Sequence, residues 1–227
     1  TGPYAAVGAP LVQGWTDYIE LVNQRGGIDG VPIQGLWVDT KNEAPLATAA
    51  YKRFKAQGVL TVSCMVTPIA LAIQKLLNED KVPGINQTAT LSIYVPPQDY
   101  MWCHGGVATD YDLATLHWFD TKLWDKAKWG QWTLGILAHD NPFTKGGIAA
   151  MYKFADTRNV KLLQPEIVAV AALDFSTNIK RLVDAGADII FCETLGAASG
   201  TCLKQMGDLG VLGTIEEAAT KPKKIVP

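Results

Sequence analysis

Residues 166–208 read EIVAVAALDFSTNIKRLVDAGADIIFCETLGAASGTCLKQMGD, and this stretch decides the fold class. Glu166–Ala172 is a short run of apolar, partly β-branched residues, the composition of a buried strand. From Ser176 to Ala185 the period changes: Ile179, Leu182 and Val183 fall on one helical face, and Gly186 stops the turn. Asp188–Cys192 returns to a continuous apolar run, and Ala197–Asp208 is helical again. Strand, helix, strand, helix with near-uniformly apolar strands is the signature of a parallel sheet covered by helices on both faces.

Working outward, the same alternation fills the chain. Upstream lie a strongly apolar strand at Trp132–Ala138, a helix from about Lys145 to Arg158, a helix over Asp112–Asp125 and a strand at Tyr100–His104. Nearer the start, Leu11, Val12, Trp15, Tyr18, Ile19 and Val22 share a helical face that ends at Gly26-Gly27. Ile33–Asp39 reads as a strand, and Pro45 opens a helix through Leu46, Ala50 and Phe54 to Gly58. Val59–Ser63 and Val82–Asn86 are strands around a helix from Ile69 to Glu79, with Thr67 as its N-cap and Pro68 at N1. The Pro-rich segment Ala89–Asp99 and the pair Gly105-Gly106 mark where the chain leaves a first lobe. The expected organisation is an α/β lobe over 1–105, a second over 106–213, and a tail segment over 214–227.

Composition narrows the function. The 227 residues are 48% hydrophobic and 19% charged with a formal net charge of −2, which is globular and offers no basic track for nucleic acid. No apolar run reaches membrane-span length. Four cysteines, Cys64, Cys103, Cys192 and Cys202, lack metal-ligand spacing; buried free thiols are the first reading, and three complete disulfide pairings stay open beside it. There is no G-x-S-x-G elbow, no Walker loop and no G-x-G-x-x-G after a strand, and three histidines form no catalytic arrangement. An enzyme is not expected, and no cofactor or metal is implied.

Several motifs in order carry a resemblance. TGPYAAVG at the start, VNQRGGIDGVPI, Asp39 ahead of Pro45, TPIALAIQKLLNEDKVPGIN, DNPFTKGG, DFSTNIKRLVDAGADIIF and LKQMGDLGV follow one another across residues 2–213. Together they resemble the type I periplasmic binding proteins of the branched-chain amino acid receptor kind. That resemblance implies a two-lobed α/β fold closing on a ligand through hinge segments. The fold would be incomplete here, lacking the family's first strand before Thr1 and much of the second lobe after Gly213. It also implies an extracytoplasmic receptor, periplasmic or extracellular, with lipid anchoring as one form. Its partners would be a small-molecule ligand, an amino acid or other carboxylate, and the membrane permease of an ABC transporter; the receptor would be monomeric. A ligand-sensing domain of a regulator or receptor with the same fold is the alternative.

The same resemblance points to site residues. Val66 and Thr67 stand where the family has a Ser pair, at a helix N-terminus suited to a carboxylate. Thr88, Ala89 and Thr90 match a loop whose carbonyls and hydroxyls can take an ammonium and a carboxylate. Phe143 replaces a Tyr and offers an aromatic face without a hydroxyl. Glu193 ends an apolar strand at the ligand-facing edge and can pair with an ammonium, and Leu195 stands where Tyr is frequent. For each the ordinary alternative is a cap, a solvated loop or core packing.

Overall fold

The computed structural model describes residues 5–87, 90–97, 100–214 and 217. Helix α1 (Ala5–Gln24) ends at two glycines of positive φ, 102° at Gly26 and 75° at Gly27, the conformation that relieves a helix C-terminus. At Gly27 the carbonyl of Val31 packs where a Cβ would stand, so no other residue fits this turn. Helix α2 (Ala44–Ala56) starts on Pro45 and buries Ala47 and Tyr51. Strand β1 (Val62–Cys64), helix α3 (Thr67–Asp80), strand β2 (Gly84–Asn86) and strand β3 (Met101–Cys103) complete this part of the chain. The sheet is parallel in the order β1-β2-β3, with Val62 opposite Gly84 and Gly84 opposite Met101. Its core joins Tyr51, Ile69, Ile73, Leu77 and Ile93, so α2 and α3 cover one face of the sheet.

A second parallel sheet is built around strand β4 (Thr133–His139), in which every residue is buried. Helix α4 (Ala108–Trp118) runs into a π-helical turn at Phe119–Leu123 and a short helix α5 (Lys126–Trp129) before it. Helix α6 (Pro142–Arg158), strand β5 (Lys161–Leu162), strand β6 (Glu166–Val168), helix α7 (Ser176–Asp184), strand β7 (Ile189–Glu193) and helix α8 (Ala197–Asp208) follow. A strand has two edges, yet β4 has three partners. β5 pairs at Thr133–Leu134 and β6 at Leu137–His139, successive stretches of one edge, while β7 runs along the other from Leu134 to Ala138. Helices α4 and α6 pack on one face through Leu116, Phe119, Trp132, Met151 and Phe154. Helices α7 and α8 cover the other through Phe175, Ile179, Leu182, Cys202 and Met206.

Two expectations change. Ile33–Asp39 is not a strand: it runs outside any sheet, held at Ile33 by paired hydrogen bonds with the Asn23 side chain (2.7 and 2.8 Å). An apolar run becomes a strand only beside a partner, and Leu36–Val38 has none within the described residues. The helix expected over Asp112–Asp125 breaks instead at the π-helical turn. That turn aims buried Asp120 at the indole N–H of Trp132 (2.8 Å) and the Lys126 ammonium (2.5 Å). Most of the expected 214–227 tail lies outside the described residues.

Candidate functional site

The strand ends and following helices of both sheets open onto one cavity of about 920 Å³. One arm is a trough formed by the apolar faces of α1 and α2, the extended segment 33–42 and the free edge of β1. Its mouth is bounded by Val66, Thr67 and Gln87 on the first-sheet side and by Asn141, Phe143 and Leu195 on the second. The volume lies at the upper end of small-ligand pockets, so shape alone does not fix the occupant.

Two helices point their N-termini into that mouth. The cap of α3 falls one residue earlier than the sequence suggested: Val66 is the N-cap, with Thr67 and Pro68 inside the first turn. A valine has no oxygen to offer, so no side chain caps this helix, and no acidic residue lies in its first turn. The amides of Ile69 and Ala70 return to the Val66 carbonyl (3.1 Å each). Thr67 is 1% exposed, and its hydroxyl has no hydrogen-bond partner among the described residues. A buried hydroxyl left so costs about 1–3 kcal/mol unless something reaches it.

Across the mouth, Asn141 caps α6, its Oδ1 accepting from the amides of Phe143 (2.9 Å) and Thr144 (3.1 Å). The Thr144 hydroxyl donates to the His139 carbonyl, which ties the first turn of α6 to the end of β4. Asn141 is buried, and its Nδ2 amide has no partner among the described residues. The mouth therefore carries the partial positive ends of a 14-residue and a 17-residue helix, and buried at each lies a donor with no partner among the described residues.

Of the residues singled out from the sequence, Val66, Thr67, Phe143 and Leu195 come together on the cavity wall, with Phe143 and Leu195 half-buried. Thr90 is buried and packs against Gly146 of α6, so it joins the two sheets' helices and does not line the cavity. Glu193 stands behind the wall. It is 7% exposed, and its two carboxyl oxygens lie 2.9 and 3.0 Å from the point where a Cβ would project from Gly147. Asp112 of α4 approaches the same point. Burial, with the Asp112 charge added, pushes the Glu193 carboxyl up to about 9, and burial alone pushes Asp112 up to about 7. Neither Glu193 oxygen has a hydrogen-bond partner among the described residues. Thr88 and Ala89 lie outside the described residues.

Sequence reasoning missed Asn141, Gln87 and Asp112. Asn141 had a readable signal, since an Asn directly before a Pro-initiated helix is a strong N-cap pattern. Gln87 and Asp112 had none, because their neighbours come from distant parts of the chain.

Comparisons with known proteins agree with this architecture. The chain is 25% identical over 221 residues to the Leu/Ile/Val-binding protein homolog 3 of Brucella melitensis, covering 93% of this chain and 56% of that protein. It is 24% identical over 222 residues to the Leu/Ile/Val-binding protein homolog 1 of Brucella suis, with the same coverage. It thus spans about half the length of the curated relatives it matches. Among solved structures, a branched chain amino acid ABC transporter protein from Thermus thermophilus with bound valine superposes with a TM-score of 0.84 at 20% identity. That match covers 92% of this chain and 54% of the other. A solute binding protein from Rhodopseudomonas palustris in complex with 3,4-dihydroxybenzoic acid gives 0.78 at 20% identity, covering 92% and 56%. At such identities the superpositions establish the two-lobed fold with its parallel sheets, of which this chain carries part. The periplasmic binding protein family model matches residues 1–219, and the chain belongs to that family.

Proposed function

We propose that the chain is the ligand-capturing part of an extracytoplasmic receptor that delivers a small carboxylate to the membrane permease of an ABC transporter. The observation that carries the reading is the convergence of two helix N-termini, at Val66–Thr67 and Asn141–Phe143, on one cavity mouth. Each offers about half a positive charge and a donor without a partner, and a carboxylate supplies the acceptors both lack. Phe143 and Leu195 give the ligand's remainder an apolar seat without a hydroxyl, favouring an alkyl or aryl body over a polar one. Relatives support the chemical class: the Thermus thermophilus protein holds valine, and the Rhodopseudomonas palustris protein holds a dihydroxybenzoic acid. Thr88 and Ala89 stay in the proposed site on the resemblance alone, and Thr90 supports it from behind the wall through its packing against Gly146. Glu193 enters it only for a ligand with an ammonium group, which would have to take the place of the proton held on that carboxyl.

The test is a panel of aliphatic amino acids, alkyl monocarboxylates and aromatic monocarboxylates against the full-length protein. It is read by tryptophan fluorescence and calorimetry. At least one carboxylate should bind, and its amide or alcohol analogue should not. Equal binding of charged and uncharged analogues, or no binding across the panel, would overturn the proposal.

A further inference from the structure

Cys192 and Cys202 bring their sulfurs to 3.1 Å, one at the penultimate position of β7 and the other in the second turn of α8. Cys202 is fully buried in the core between α7, α8 and the sheet, and Cys192 packs against that core while keeping partial exposure. Their shared hydrogen bond holds the Cys202 thiol below its usual range and lifts Cys192 above it. The other two cysteines are separated by the sheet itself. Cys64 and Cys103 both stand in register with Asn86, one on each side of β2. Two strand spacings put their Cα atoms about 9.5 Å apart, beyond what a disulfide spans. Cys64 is sealed in the first core, where burial pushes its thiol up to about 12, far from either cysteine of the second sheet. Every one of the three complete pairings the sequence left open uses Cys64, so none of them stands, and Cys192–Cys202 is left as a single bridge.

We infer that Cys192 and Cys202 form a reversible disulfide that fastens the end of β7, with Glu193 beside it and Leu195 just beyond, to helix α8. The oxidant is a disulfide of a small thiol or a thiol oxidoreductase. The partly exposed Cys192 passes its thiol proton across the shared hydrogen bond to the Cys202 thiolate, attacks one sulfur of that disulfide and expels the other as a thiolate, which takes the proton on from Cys202. Cys202, as thiolate, then attacks Cys192 Sγ, forming the internal S–S bond and expelling the second thiolate. Two cysteine thiols are oxidised, one external disulfide is reduced to two thiols, and the protons lost by the cysteines are taken up by the departing thiolates. Between the two cysteines the Ser199 hydroxyl already donates to the Thr194 carbonyl (2.7 Å). The bond would therefore lock a turn already folded in the reduced state, the sulfurs closing from 3.1 Å to a bond of about 2 Å.

The experiment treats the full-length protein with oxidised glutathione, alkylates it in denaturant with iodoacetamide, and maps it by mass. No Lys or Arg lies between residues 182 and 203, so trypsin leaves both cysteines on the peptide 182–204. That peptide should carry no alkyl group and be lighter than its reduced form by two hydrogens. Cleavage after Glu193 should leave the halves joined until reductant is added. Reduction should lower the unfolding midpoint by roughly 5–10 °C for a loop of this length, a shift that Cys192→Ala abolishes. Double alkylation of the peptide after oxidation, a stable glutathione adduct on Cys192, or a linkage to Cys64 or Cys103 would overturn the pairing. An unmoved midpoint on reduction would overturn the fastening. None of these outcomes depends on whether a carboxylate binds.

Discussion

The Glu193→Gln substitution should make the protein more stable, and more so the higher the pH. Glu193 ordinarily loses its proton near 4.5, and in the fold it holds it to about 9. Between those values the unfolded chain is ionised at this position while the folded chain is not, so the folded state binds more protons. Stability then falls as pH rises, by about 1.4 kcal/mol per unit for one group. Below about 4.5 both states are protonated and nothing is lost; above about 9 both are ionised and the loss is complete. From about pH 5 to about pH 7 this single carboxyl costs the fold roughly 3 kcal/mol. Asp112, raised from 3.8 to about 7, adds its own loss over the lower part of that window. A glutamine keeps the shape and cannot ionise. Thermal unfolding of wild type and variant, followed by circular dichroism across this window, should give midpoints that coincide near pH 4.5. They should separate by roughly 6–12 °C at neutral pH for a chain of this size. Parallel midpoint–pH curves for the two proteins would refute the reasoning, because the pair would then not be protonated in the fold.

Other expectations follow from the same geometry. Thr67→Val removes a buried hydroxyl without a partner, so the free protein should be unchanged or slightly more stable while carboxylate affinity falls about tenfold, as calorimetry would show. Gly147→Ala forces a methyl against the Asp112 and Glu193 carboxyls and should cost about 1–3 kcal/mol in chemical denaturation. Trp132→Phe strips the indole donor from buried Asp120, leaving that carboxylate to Lys126 alone; denaturant midpoints should show a loss of about 1–3 kcal/mol.

How much of this was legible depended on how local each cause is. Strand β4 could be read because seven consecutive residues are buried, and a fully covered central strand has no polar face to disguise it. Helix α7 could be read because Ile179 and Leu182 repeat at helical spacing between Asp174 and Gly186. Leu36-Trp37-Val38 carries the same apolar signal as a strand yet forms none, since pairing is a property of the neighbour and not of the run. Strand β5 is two residues long and escapes any window. Gly146 and Gly147 sit in helix α6 with nothing in the neighbouring sequence to explain them. Their role is to let Thr90, Asp112 and Glu193 approach α6, which no local reading contains. At the site, Thr67 lines the cavity, and the sequence could point to it, one residue off as the cap, because the turn before α3 is written in adjacent residues. The Asp112–Glu193 pair was invisible because its members meet only when α4 and β7 fold onto α6.

Those two features, the helix ends and the acid pair, bear on each other through charge. Two helix N-termini contribute together about one positive charge at the mouth. Two ionised carboxylates behind the wall would contribute two negative ones, and Glu193 is only two residues from Leu195, which lines the cavity. Full ionisation would therefore cancel the attraction the helix ends exert on an anion, whereas a protonated Glu193 leaves at most the Asp112 charge against it. Burial supplies that protonation without any dedicated partner: a glycine at 147 lets the carboxyls crowd one point, and exclusion of water there keeps the proton on. For the carboxylate receptor proposed above, ligand preference then turns on whether the ligand carries a cation. A plain carboxylate is served by the pair as it stands. An amino acid must bring its ammonium near enough to Glu193 to displace the proton, and its binding alone would release one.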